Sequence, residues 1–285
     1  MTLTVLEFLA PPFVASLILT GMHAYLGVHV IERGVIFVDL SLAQIAALGG
    51  TVALLLPHTH GDAHSPIVYW MSVGFTVAGA VVFASLRSRT VRVPQEAVIG
   101  ICYAVASAAT VLAMSKATSE SEHLKDMLVG NILAVSWAEV WRTALLYATI
   151  GVFHYMCRRR FLAISLDPVR AEAEGVSIRL WDFFFYASFG LVVTSSVSVA
   201  GVLLVFCYLI VPSVAAMLYA DTIGRRLAIG WTMGTCVSAA GVYLSLVLDL
   251  PTGATIVCTF GLALIVMAAV RPLIRRSIAT SEVPV

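Results

Sequence analysis

The sequence predicts an all-α fold, a polytopic bundle of membrane-spanning helices, and three observations carry that prediction. Hydrophobic residues make up 60% of the chain and charged residues 12%, against roughly 25% charged in soluble domains, and the mean hydropathy is +0.97. The apolar residues run in long blocks rather than alternating at period two, which favours helices over a membrane barrel. At 285 residues, with about 20 residues per span plus loops, there is room for roughly eight to ten spans.

Taken in order, the apolar segments cover residues 8–31, 36–56, 67–86, 97–114, 137–156, 183–200, 202–220, 227–248 and 254–270. Nine spans follow, with eight as the alternative count, because the second segment begins almost directly after the first, around Glu32 to Gly34. Gly201 marks a turn between the sixth and seventh segments, and Pro212 a kink within the seventh. Small residues recur in the spans, as in AVASAAT and VTSSVSVAG, where they let helices approach closely. No internal repeat, low-complexity tract or linker interrupts the chain, so residues 1–285 are expected to form one transmembrane domain. The N-terminal MTLTVLEFLAPPF lacks the positive region of a cleaved signal peptide and is read as mature sequence. The cysteines Cys102, Cys157, Cys207, Cys236 and Cys258 are odd in number and contain no CxxC, which argues against a disulfide set or a metal cluster.

Charge orients the bundle. One set of loops carries Arg33, then Arg87, Arg89 and Arg92, the group from Arg158 to Arg179, Arg225 and Arg226, and finally Arg271, Arg275 and Arg276. The opposite set has Lys116, Lys125 and Arg142. The positive-inside rule makes the first set cytoplasmic, with the N-terminus outside and the C-terminus inside. Residues 115–140 fall outside; their apolar part is too short to span, which suggests a surface or re-entrant helix.

The longest cytoplasmic loop contains LDPVRAEAEGVSIRLWD, Leu166 to Asp182, the one long central run with the pattern of a water-exposed helix. Asp167 can cap it, Pro168 suits its first position, and Gly175 can end it in a left-handed conformation. A short capped helix between long apolar segments suits a contact element that passes motion from a soluble partner to a membrane domain. Arg170 and Glu174 stand at i, i+4 and can pair.

No phosphate-binding GxxxxGK[ST] occurs, so the chain is not expected to bind or hydrolyse ATP or act as an enzyme. HExxH, GxSxG and SxxK are also absent. Candidate metal ligands fall in two groups. His58, His60, Asp62 and His64 form an outer loop whose imidazoles and carboxylate suit zinc or manganese, although the same run also fits a plain polar turn before Pro66. His23, His29 and Glu32 lie in the first segment, with His29 and Glu32 at i, i+3 on one face; they fit either transient ligands along a pathway or helix-to-helix hydrogen bonds. Asp39 opens the second segment as a helix-start residue or a pathway residue. Glu96 opens the fourth, where it fits a cap on its own helix or, as the weaker alternative, a gating residue. His123, with Glu120, Glu122 and Asp126, lies in an outer loop, as a contact for a delivery protein or a solvated surface.

Several blocks, in order between about Gly21 and Arg271, resemble the permeases of the metal-ion ABC transporter family, which import manganese, zinc or iron. They are LGVHVIERGVIFVDLSLAQIAALGG, QEAVIGICYAVASA, GNILAVSWAEV, DPVRAEAEGV, VAGVLLVFCYLIVPSVAAMLYA and LDLPTGATIVCTFG. The resemblance implies a type II ABC importer-like permease in a cell inner membrane. It makes residues 167–175 the coupling helix, with Asp167, Pro168, Arg170, Glu172, Glu174 and Gly175 facing an ATP-binding cassette subunit. It further implies a second permease copy, an extracytoplasmic metal-binding protein, and no cofactor bound by this chain. Many family members carry Gly-Asp-Ala-Leu-Ser-His at the start of the second span; here Asp39 matches the aspartate, but Ala43 or Gln44 takes the histidine position, so a route through that histidine does not carry over.

Two rival classes make different demands. A gradient-driven secondary transporter calls for paired mid-span carboxylates and broken-helix repeats, whereas the acidic residues here cluster near span ends. A membrane-embedded metalloenzyme calls for a mid-span ligand triad, and His23, His154 and the outer histidines fall at different levels. Within the ABC reading, a permease for a metal chelate is the alternative. Nothing in the composition points to nucleic acid.

Overall fold

Helices account for the regular structure that the computed structural model gives for residues 3–56, 65–86, 93–115 and 132–281, with side chains described between Glu7 and Pro272. In chain order they are α1 (Leu3–Glu32), α2 (Val38–Leu54), α3 (Pro66–Ser85), α4 (Gln95–Met114), α5 (Trp137–Leu166), α6 (Pro168–Ala173), α7 (Ile178–Ala200), α8 (Val202–Met217), α9 (Ile223–Leu248) and α10 (Thr252–Ser281), with a single 3-10 turn at Ile132–Ala134. Each apolar segment of the sequence coincides with one of these helices.

The helices that meet the length and hydropathy of an unaided span are fewer than the apolar segments. Among the described residues, six helices are long and apolar enough to cross a membrane: α1, α3, α4, α7, α9 and α10. Nine is therefore not confirmed as a span count. Helices α2 and α8 have 17 and 16 residues, short of the ~20 a bilayer core requires of an upright helix. Helix α5 has 30 residues, but Glu139, Arg142 and Arg158 to Arg160 dilute its apolar character. The apolar window of α1 is 67% buried whereas those of α4 and α10 are each 17% buried, so α1 belongs to the interior and the other two present most of their surface to the surroundings. Outward Leu112 on α4 and Ile265 on α10 suit hydrocarbon, where water-exposed apolar patches of that extent would be unfavourable.

The chain forms two compact units. The first contains α1 up to Val28, the 3-10 turn with the first residues of α5, and α8 from Leu203 through α10. Small residues set its packing: a Cβ on Gly27 would lie 1.9 Å from the Leu209 carbonyl oxygen, so α1 and α8 touch backbone to backbone. Ser213 on α8 donates to the Ala24 carbonyl at 3.2 Å, and Trp231 on α9 donates to the Gly21 carbonyl at 3.0 Å. Helix α9 ends at Asp249, in a left-handed conformation with φ 52°, and Ser245 joins Thr252 at 2.7 Å to close the turn into α10.

The second unit contains the end of α1 from His29, then α2, α3, α4, most of α5, α6 and α7. Helix α2 packs on α3 and α4, and α3 packs on α7. Gly190 of α7 faces Thr76 of α3 closely enough that a Cβ would lie 2.3 Å from the Thr76 methyl, and the Thr76 and Thr194 hydroxyls meet at 3.1 Å. Aromatic rings join α5 to α7: Phe161 meets Trp181 at 5.6 Å and Phe185 at 6.0 Å, and His154, stacked on Phe161 within α5 at 4.6 Å, meets Phe185 at 6.0 Å.

Candidate functional site

Helix α6 has the ends that its sequence dictates. The Asp167 carboxylate accepts a hydrogen bond from the Arg170 amide at 2.9 Å, and Pro168 occupies the first helical position, where a missing N–H has no cost. Gly175 follows with φ +82°, and the Val176 amide closes back on the Ala171 carbonyl at 3.0 Å, which uses carbonyls the short helix would otherwise leave open. Arg170 Nε donates to Glu174 Oε1 at 2.8 Å on an exposed surface. That hydrogen bond, and secondly the Glu174 charge, raise the Arg170 pKa above its ordinary value. Ala171 is buried, whereas Val169, Arg170, Glu172 and Glu174 face outward. One side of α6 is thus anchored while the other offers both signs of charge and an apolar residue to whatever meets it.

The helices that flank α6 are joined in the interior by charge. Arg33, just past the end of α1, donates from Nη1 to Asp182 Oδ1 at 2.6 Å, and both side chains are buried, 1% and 0% exposed. Its Nε donates to Ser165 Oγ at 2.9 Å, and the guanidinium lies 4.0 Å above the Phe185 ring. His29 Nδ1 stands 2.8 Å from the same Ser165 hydroxyl. Ser165 is in the last turn of α5 and Asp182 in the second turn of α7, so the cluster unites the two chain ends that hold α6. Further along α5, His154 Nε2 lies 2.8 Å from Ser188 Oγ, which also reaches the Phe184 and Phe185 carbonyls at 2.7 and 3.0 Å.

This cluster corrects the sequence reading in two places. Asp182 ends the stretch read as water-exposed, and Arg33 counts among the charges of the cytoplasmic loops, yet both side chains are buried against each other. Glu96 is a third correction. It does not cap α4, whose N-cap position is Pro94 with no side-chain cap. Its Oε1 instead accepts the Phe37 amide at 2.9 Å, at the start of α2.

Four of the candidate metal ligands fall among the described residues. Asp39 is in the first turn of α2, buried, and its Oδ1 has no hydrogen-bond partner among the described residues. His23 is fully buried, with Nδ1 2.9 Å from the Leu19 carbonyl one turn earlier. His29 belongs to the Arg33 cluster, and Glu32 is half-buried at the end of α1. His58, His60, Asp62 and His64 lie outside the described residues, as does His123. Among the described residues no three His, Cys, Asp or Glu side chains gather to hold a metal ion.

A polytopic helical membrane protein with a short capped helix between two long ones is the class that this architecture defines. The profile of the ABC 3 transport family matches residues 5–271, and the chain belongs to that family. Among its relatives, the manganese transport system membrane protein MntC of Listeria monocytogenes is 24% identical over 253 residues, covering 88% of this chain and 86% of the relative. The manganese import system permease protein ScaB of Streptococcus parasanguinis is 26% identical over 231 residues, 76% of this chain and 82% of the relative. Among solved structures, one described as PsaBC from Streptococcus pneumoniae in complex with Fab aligns with a TM-score of 0.75 at 20% identity, covering 92% of this chain and 91% of that one; at that identity the likeness speaks for the fold.

Proposed function

We propose that the chain is the membrane permease subunit of an ATP-driven importer for a divalent transition-metal ion, zinc, manganese or iron. Helix α6 carries the proposal. It is a rigidly capped, outward-facing helix at a family block, in a chain whose sequence contains no phosphate-binding loop of its own. An ATP-binding cassette subunit docks on Arg170, Glu172 and Glu174, and closure of two such subunits pushes on residues 167–175. Two copies of the permease domain, residues 1–285, line the pathway in an inner membrane, with the N-terminus outside and the C-terminus cytoplasmic. Nine spans satisfy that orientation when the 30-residue α5 crosses at a tilt and the shorter α2 and α8 cross upright where the bilayer thins around them. An extracytoplasmic metal-binding protein delivers the ion, which is cargo and not a resident cofactor.

The metal route draws on Asp39, His23, His29 and Glu32 and on the outer His58, His60, Asp62 and His64 loop. In support, Asp39 is a buried carboxylate with an oxygen left without a partner, which is costly unless it faces a cavity or a cation. Brief, weak contact suits a pathway, because a deep site would trap the ion. The test of the docking is Glu172→Lys with Glu174→Lys in the assembled complex: binding-protein-stimulated ATP hydrolysis is expected to be lost while the membrane domain keeps its thermal stability. Undiminished stimulation would refute α6 as the docking element.

A further inference from the structure

We infer that the buried Arg33, Ser165 and Asp182 cluster is the link through which movement of α6 reaches the end of α1. The inference rests on the reading of α6 as the docking element. Helix α6 is too short and too exposed to carry force alone, so whatever it transmits passes through the helices at its two ends. Ser165 lies in the last turn of one and Asp182 in the second turn of the other, and one guanidinium binds both, at 2.9 and 2.6 Å. That guanidinium sits one residue past α1, and His29 of α1 meets the same Ser165 at 2.8 Å.

Three features make this a mechanical joint and more than packing. First, the contacts are charge-assisted and directional, so they fix orientation as well as distance. Second, Phe185 backs the guanidinium at 4.0 Å and Phe161 and Trp181 fill the space between α5 and α7; a close-packed interior of this kind passes displacement on with little give. Third, Arg33 Nη2 is a buried donor with no hydrogen-bond partner among the described residues. A spare donor next to a carboxylate gives the joint a second pairing to adopt when α5 and α7 shift, which is what a two-position element requires. Arg33 and Asp182 are thus positioning residues, acting on the pathway through α1 and touching neither ATP nor cargo.

The test uses the complex of this chain with its ATP-binding subunit in nanodiscs, followed by amide hydrogen exchange with and without ATP and vanadate. In the unaltered complex, nucleotide should change exchange both at residues 166–177 and at residues 30–38. In Arg33→Met with Asp182→Leu, whose apolar replacements keep the volume, the change at 166–177 should persist while that at 30–38 falls at least about fivefold. Manganese ions moved per ATP in vesicles should fall about tenfold. If that variant does not assemble, Ser165→Ala, which removes one hydroxyl, should still weaken the response at 30–38 by about half. A response at 30–38 that survives undiminished in either variant would overturn the link. Absence of any nucleotide effect at 166–177 in the unaltered complex would instead overturn the docking reading beneath it.

Discussion

Removing Asp182 should be among the most damaging single changes in the second unit. In Asp182→Ala the Arg33 guanidinium, 1% exposed, loses its counter-charge while staying enclosed by Ser165 and Phe185. Breaking a buried pair from one side costs about 3 to 5 kcal/mol. The Phe185 face, 4.0 Å away, retains up to about 2 kcal/mol of cation–π attraction in a desolvated site, so the lower end, about 3 kcal/mol, is expected. Arg33→Ala should cost a similar amount, since it leaves the Asp182 carboxylate uncompensated. The double change removes both charges, and its loss should fall short of the summed singles by at least about 1.5 kcal/mol, as contacting residues show. The assay is reversible denaturation of the purified chain in mixed detergent micelles, followed by tryptophan fluorescence. Single-variant losses under about 0.5 kcal/mol, the level of surface substitutions, or strict additivity, would refute the claim that the pair is shielded and coupled.

Other outcomes follow from the same packing. Gly27→Ala places a methyl 1.9 Å from the Leu209 carbonyl oxygen, so α1 and α8 must separate; a loss of roughly 1 to 3 kcal/mol is expected in the same denaturation assay. Ser165→Ala removes the hydroxyl that Arg33 Nε and His29 Nδ1 share and should cost about 1 to 3 kcal/mol, whereas Ser165→Thr should retain most of the stability. If the outer loop gathers metal, changing His58, His60 and His64 together to Ala should raise the metal concentration for half-maximal uptake in vesicles with no change in the folded fraction; unchanged uptake would leave the loop a polar turn.

What could be read from the sequence was local. Asp167, Pro168 and Gly175 lie within one short stretch and each acts through backbone geometry, so α6 was legible residue by residue, down to the Arg170 and Glu174 pair. The apolar blocks gave every long helix, because length and hydropathy are summed over neighbours. The span count was less legible, since the ends of α2 and α8 depend on where the chain turns at Gly34 and Gly201. The Arg33 and Asp182 pair could not be read, because its members are 149 residues apart and each alone resembles a solvated loop charge. The available signal was weaker: a lone arginine between two apolar segments, and an aspartate at the edge of the aromatic run WDFFFY. Glu96 misled for a related reason, as an acidic residue in a first turn suggests a cap on its own helix, and here the nearer open amide belonged to Phe37.

The central claim is that this chain carries a divalent metal ion at the expense of ATP hydrolysed by a partner. The most direct measurement is uptake of manganese, zinc and iron into proteoliposomes that contain the permease with its ATP-binding subunit, supplied with the binding protein. The expected result is accumulation of at least one of these ions that requires ATP and is abolished by Glu172→Lys with Glu174→Lys. Uptake that proceeds without ATP and follows an imposed ion gradient would contradict it.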